Sequence, residues 1–246
     1  MIRAAENIGG GSAVTQMVAN MVESGFLSKL LQGLRGSWIA HCTTGPLKKS
    51  PPVDGIVETD YFSVLARLVL GSTRGFMEGC RTAGTTIGSE GSSTDTTMKW
   101  LLEEWFSHFE NVGDPSRRKL MCLALTKLLE TNAPFILVNL QSLMTVWTDV
   151  ITELRADEED VGGDSLVYAN GDAFHDLNGT PEAPEEGRRR SLTTSDVVHT
   201  VNLPAYVKEK LQQAVSACGG EQQLQQEWLV NVDRNVLEGF TKLGIM

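Results

Sequence analysis

Residues 100–130 read WLLEEWFSHFENVGDPSRRKLMCLALTKLLE. In both halves of this stretch, apolar residues recur at the i, i+3, i+4, i+7 spacing of one helix face. Between the halves, Gly113 is suited to close a helix in the left-handed conformation, Asp114 to cap the next helix and Pro115 to open it. The stretch therefore predicts two amphipathic helices that are joined by a short turn and packed antiparallel as an αα-hairpin.

This hairpin resembles a HEAT repeat, in which a first helix ends at an Asp-Pro turn and the second opens with basic residues, here Arg117 and Arg118. Helical periodicity continues on both sides of the hairpin, so the chain is predicted to be an all-α, HEAT-repeat-like α-solenoid of about six or seven helices. The alternative is an isolated helical hairpin within another all-α fold.

The flanking sequence predicts further helices, separated by breaks at glycine and proline. In the first half we expect a helix from Ala13 that Ser12 caps after a weakly structured start, a kink or break at Gly25, Gly33 and Gly36, and a helix that Thr59 or Asp60 caps and that runs to about Cys80. In the second half we expect a long helix from Phe135 to Leu154, an extended apolar run from Val197 to Leu203, a helix to about Ala217 and a final helix from Leu224 to Phe240.

The negative charge of the chain is concentrated in one segment. The formal net charge is −10, and residues 156–187 contain ten Asp or Glu and no Lys or Arg. The segment is too polar to fold alone and is predicted to be a flexible acidic loop, with a short apolar island at 166–168 that docks on the body. We therefore expect helical repeats at 1–155, the loop at 156–191 and a C-terminal segment with helices at 192–246. The acidic balance argues against a nucleic-acid-binding surface.

Catalytic, metal and membrane functions find no support in the sequence. The four cysteines lack CxxC spacing, and no histidine lies at zinc-ligand spacing from two of them, which favours a reduced protein without a bound metal or cofactor. The four histidines show no recognisable nucleophile or carboxylate spacing, and His108 is predicted to face solvent. No run of about 18 apolar residues is present, so no segment is predicted to span a membrane.

Three charged features are candidate partner or modification sites. Asp157, Glu158, Glu159 and Asp160 form an acidic cluster that attracts basic proteins, occupies the partner-binding face of the chain when no partner is bound, or is a solvated linker. Arg117 and Arg118 oppose the dipole of the helix that they open, a mild cost that suggests a partner such as the acidic segment. Ser191 follows three arginines and is a candidate phosphorylation site, although a solvated charge run is the alternative.

Three segments together resemble the C-terminal part of importin-β (karyopherin-β) nuclear transport receptors, closest to the importin-eleven branch. They are Trp105-Phe106 with 111–125 (NVGDPSRRKLMCLAL), the acidic loop that ends in three arginines, and 196–211 (DVVHTVNLPAYVKEKL). The resemblance covers the chain from Val53 onward, and 1–52 resemble the family only as helical solenoid.

The resemblance implies a nuclear import receptor that is not an enzyme. Such a receptor binds protein cargo, commonly basic, on a concave face, binds the GTP-bound form of Ran, contacts FG-repeat nucleoporins and shuttles between cytoplasm and nucleus. The family is about four times as long as this chain, which implies a fragment or a truncated gene model. A HEAT-type structural or assembly scaffold unrelated to transport is the alternative function.

Overall fold

The fold is known from a computed structural model, which describes residues 2–87, 94–156, 164–167 and 184–245. These residues form thirteen α-helices, four short 3₁₀ turns and no strand. The helices are α1 (Ile2–Glu23), α2 (Phe26–Cys42), α3 (Gly55–Gly71), α4 (Thr73–Thr86), α5 (Thr94–His108), α6 (Pro115–Lys127), α7 (Pro134–Leu137), α8 (Leu140–Ala156), α9 (Pro184–Thr194), α10 (Val197–Thr200), α11 (Leu203–Ala217), α12 (Glu221–Glu227) and α13 (Arg234–Thr241). The all-α prediction is confirmed, but the expected number of helices was too low.

The helices are arranged as packed repeats. Helices α1, α3, α6, α8 and α13 form a row in which each contacts the next, and α2, α5 and α7 form a second row. Helix α4 contacts α1, α2, α3 and α5, and the C-terminal helix α11 packs on α6 and α8. One continuous hydrophobic core runs through the described residues, as the wide apolar faces of the central helices require. This arrangement confirms the predicted solenoid.

The central turn has the predicted cap, although its glycine and the packing of its two arms differ from the prediction. Asp114 Oδ2 accepts a hydrogen bond of 3.0 Å from the Arg117 amide, and Pro115 opens α6. Gly113 does not adopt a positive φ, because a 3₁₀ turn at Phe109–Asn111 already ends the preceding helix. The principal partners of α5 are α2 and α4, whereas those of α6 are α3 and α8, so neither arm has the other as its main packing partner.

Several helix boundaries in the first half also differ from the prediction. Helix α1 begins at Ile2 rather than after Ser12, and Gly25, with φ 72°, separates it from α2. Gly33 and Gly36 lie inside α2 and do not break it. The loop at 51–53 packs so closely on them that a side chain would not fit, since a Cβ on Gly36 would lie 2.6 Å from Pro52 Cγ. Asp54, and not Thr59 or Asp60, caps α3 through the amide of Ile56.

Capping residues explain most of the additional helices. Ser72 ends α3 and accepts a hydrogen bond from the Gly75 amide, which divides the single helix predicted up to Cys80. Asp196 caps α10, so the predicted extended run begins as a helix. The long helix expected from Phe135 is divided into α7 and α8, and the expected final helix into α12 and α13, which Asp233 caps. Residues 184–191 of the predicted loop form the first part of α9.

Candidate partner-binding groove

A groove of about 1280 Å³ lies between α1, α3, α6, α9 and α10. Its walls are mainly apolar and include Met17 and Met21 of α1, Val64 of α3 and Leu192 of α9. Phe26, at the start of α2, lines the groove with half of its surface exposed. Exposed apolar side chains around a concave surface are typical of a site that another protein covers.

An internal ion pair holds one wall of this groove. Arg67 of α3 donates two hydrogen bonds, of 2.6 and 2.7 Å, to the two carboxylate oxygens of Asp196. Asp196 also accepts from the Val198 amide and so caps α10. Because both side chains are largely buried, this bidentate pair fixes α10, together with Val198 and His199, against α3.

Helix α9 forms the exposed edge of the groove. None of its side chains is buried, and Leu192 retains 40% of its surface. The Glu185 carboxylate lies 2.9 Å from Arg188 and 3.6 Å from Arg189, and all three side chains are well exposed. The helix is therefore attached to the body mainly through its C-terminal end, next to the ion pair of Asp196.

The two arginines singled out in the sequence have partners within the chain. Arg117 lines the groove and lies 2.7 Å from Asp60 in an exposed ion pair. Arg118 lies 2.7 Å from Glu153 of α8, and its guanidinium is 5.0 Å from the centre of the Phe109 ring. These ion pairs join α6 to α3 and α8 in the first row. They explain why two arginines are accommodated at the start of this helix.

The acidic segment is anchored through a residue that sequence reasoning missed. The cluster at 157–160 and Tyr168 lie outside the described residues, but Asp164 is buried, 2.7 Å from Lys119 Nζ, and both side chains are fully enclosed. Asp164 also accepts from the amides of Leu166 and Leu203. The predicted docking of the apolar island is thus made through a buried ion pair together with a partly buried Leu166. The sequence contained one signal for this contact, which is that Lys119 lies among the apolar residues of α6.

The prediction that His108 faces solvent is wrong. Its ring is buried, with Nε2 donating to the Gly55 carbonyl at 2.8 Å and Nδ1 3.3 Å from the Glu58 carboxylate. Nearby, Glu104 contacts His41 at 2.8 Å, and burial raises the pKa of the Glu104 carboxyl while His41 opposes that shift. These polar contacts join α5 to both α2 and α3. Helical periodicity within α5 cannot predict them, because their partners lie on other helices.

The described residues contain no cluster of side chains suited to bind a metal ion and no helix long and apolar enough to cross a membrane. All four cysteines are free thiols. Burial raises the pKa of Cys122 to about 12, so this thiol is protonated at neutral pH and serves as part of the core. Met144 and Trp147 are also buried in the core.

The fold defines this chain as an α-helical repeat protein with an apolar groove on its surface. The family model described as "Importin-11-like, TPR repeats" matches residues 1–245, and the chain belongs to that family within the importin-β receptors. The match includes residues 1–52, which resembled the family in the sequence analysis only as a helical solenoid. Members of this family are transport receptors and not enzymes, which confirms that expectation.

Curated relatives support the same assignment. The chain is 29% identical over 188 residues to importin beta-like protein kap113 of Schizosaccharomyces pombe, covering 75% of this chain and 18% of that protein. It is 27% identical over 157 residues to importin beta-like protein KAP120 of Saccharomyces cerevisiae, covering 62% and 14%. It is 24% identical over 159 residues to human importin-11, covering 63% and 16%. The chain thus spans less than a fifth of the length of these relatives. No solved structure matches the chain.

Proposed function

We propose that this chain is the region of a nuclear import receptor that contributes a protein-binding surface, and that the receptor carries cargo through nuclear pores under the control of GTP-bound Ran. The observation that carries the proposal is the apolar groove, with exposed Phe26 and Leu192 at its edge, in a chain of the importin-11-like family. Contact with FG nucleoporins and shuttling between cytoplasm and nucleus belong to the same proposal. The alternative of a scaffold unrelated to transport is not favoured by the family assignment.

The groove proposal predicts that two exposed apolar residues matter for binding and not for folding. We expect the double variant Phe26→Asp/Leu192→Asp to weaken cargo binding about tenfold or more, because each charge would be desolvated beneath the partner. The measurement is quantitative affinity capture by the full-length receptor, with and without GTP-loaded Ran, followed by titration of the captured cargo proteins. Only cargo whose capture depends on Ran is counted.

The matched control is Val230→Asp, which also places a carboxylate on an exposed apolar position but outside the groove. It should bind cargo like the wild type. Equal loss in both variants would indicate a general effect of charge, and no loss in the groove variant would remove the groove from the cargo site.

The acidic cluster at 157–160 is proposed to attract basic cargo before it reaches the groove. We expect the variant Asp157→Asn/Glu158→Gln/Glu159→Gln/Asp160→Asn to bind a basic cargo about tenfold more weakly at low salt, with a smaller loss at physiological salt, where the Debye length is roughly 8 Å. Neutralisation is preferable to deletion of the segment, because deletion would remove Asp164 and leave Lys119 buried without its partner.

The control carries the same change of charge on the helical body, at four exposed acids. It is Glu23→Gln/Glu110→Gln/Glu221→Gln/Glu227→Gln. A smaller effect in this control supports a specific role for the cluster. Tighter binding after neutralisation of the cluster would show that it competes with cargo, and unchanged affinity at both salt concentrations would leave it a solvated linker.

A further inference from the structure

The exposed helix α9 carries an arginine run that the groove does not explain. Arg188, Arg189 and Arg190 precede Ser191, and Ser191 itself is exposed. Arginines two and three residues before a serine are the charge pattern that arginine-directed protein kinases recognise through acidic side chains. Thr193, Thr194 and Ser195 follow closely, but only Ser191 has arginine both two and three residues before it.

The structure distinguishes these four hydroxyl groups. Thr193 Oγ1 donates to the Arg189 carbonyl at 3.0 Å, and Thr194 Oγ1 donates to the Arg190 carbonyl at 3.0 Å. Ser195 Oγ is 3.5 Å from the Leu192 carbonyl. Among the residues that the structure describes, the Ser191 hydroxyl has no such hydrogen bond to give up. Ser191 is thus the exposed hydroxyl of the four that has no such hydrogen bond within the described residues to lose when it is modified.

We propose that Ser191 is a phosphorylation site for an arginine-directed serine/threonine kinase that uses ATP. In this reaction a bond forms between Ser191 Oγ and the γ-phosphorus of ATP, and the bond between that phosphorus and the β,γ-bridging oxygen breaks. ADP leaves, and the hydroxyl proton passes to the carboxylate base of the kinase and then to solvent. The product is a phosphoserine that carries close to two negative charges at neutral pH.

A kinase can bind the segment around Ser191 only when α9 unfolds locally. The contacts of this helix indicate that local unfolding requires little free energy. Kinases bind extended segments, and α9 has no buried side chain to remove from the core. Gly187 lies within the helix and further lowers its stability. The ion pairs of Glu185 with Arg188 and Arg189 are exposed, and exposed pairs contribute little to stability.

The phosphate would change the edge of the groove. Ser191 follows Arg188 by three residues, so the two side chains are neighbours on the helix surface, and a phosphate can draw Arg188 away from Glu185. It would also lie close to the C-terminal end of α9, where negative charge is unfavourable. Since Leu192 lines the groove, the modification places a dianion next to an apolar contact residue of this surface.

The test uses the full chain, Mg·ATP and the purified catalytic subunit of cyclic-AMP-dependent protein kinase as a representative arginine-directed enzyme. Phosphate incorporation is measured by intact mass, and the modified residue is located by tandem mass spectrometry. We expect about one phosphate per chain, at Ser191. The variant Arg188→Gln/Arg189→Gln should react about a hundredfold more slowly, because each lost charge-assisted contact accounts for roughly a factor of ten.

Two further variants complete the design. Ser191→Ala should abolish incorporation, whereas Ser195→Ala, which removes a nearby serine without arginine three residues before it, should react like the wild type. Phosphate on another residue, unchanged incorporation in Ser191→Ala, or an unchanged rate in the double arginine variant would each overturn the proposal. The assay involves no cargo or Ran, so its result is independent of the proposed transport function.

Discussion

Replacement of Asp164 by alanine is expected to lower the free energy of unfolding by about 3–5 kcal/mol, because the variant leaves Lys119 buried without a counter-charge. The two side chains are fully enclosed, with Lys119 Nζ 2.7 Å from the carboxylate. The variant also removes the acceptor for the amides of Leu166 and Leu203. Chemical denaturation followed by circular dichroism measures the change.

The control for this prediction is Asp60→Ala, which breaks an ion pair of the same 2.7 Å length at the surface. Its cost should be about 1 kcal/mol or less, since exposed pairs are screened by solvent. Similar losses in the two variants would contradict a structural role for the buried pair.

A charge-free double replacement separates the penalty of an unpaired charge from the net contribution of the pair. Burial lowers the pKa of Lys119, and the adjacent Asp164 opposes that shift, so the ammonium group is held charged against a desolvation penalty. We therefore expect Lys119→Met/Asp164→Leu to recover most of the stability that Asp164→Ala loses. The pair would then matter chiefly because it specifies where the acidic segment is attached.

Replacement of Trp105 by alanine is expected to cost about 3–5 kcal/mol of folding stability, because it empties a large, fully buried site. Trp105 of α5 stacks on Phe62 of α3 with ring centres 5.2 Å apart. The substitution therefore removes packing between the two rows of helices. A lowered denaturation midpoint, measured by circular dichroism, is the expected result.

Two variants make the test of Trp105 specific. Trp105→Phe should cost much less than the alanine variant, because it keeps the stacked ring and removes a buried indole N–H that has no hydrogen-bond partner within the described part of the chain. Trp228→Ala, at a partly buried tryptophan, should cost less than Trp105→Ala. An unchanged midpoint in Trp105→Ala would contradict the packing of α5 on α3.

The sequence by itself determined the features that are encoded within one or two helical turns. Apolar spacing identified the helical fold class, and Asp114 and Pro115 marked the start of α6 because a cap acts on amides only two or three residues away. The same local patterns, taken in order along the chain, were sufficient to indicate the importin-β family. Helix ends were predicted less well, because several capping residues compete locally and tertiary packing selects among them.

Only the tertiary structure decided which polar residues are buried and with which partners. Arg67 and Asp196 are 129 residues apart, and neither their pairing nor the burial of His108 against Glu58 follows from spacing within a helix. The groove depends in the same way on helices from both ends of the chain. A buried charge is tolerated only when a counter-charge is brought to it, and that depends on which helices meet. This is why Lys119 was recognisable as a basic residue from the sequence, while its role as the attachment point of the acidic segment was not.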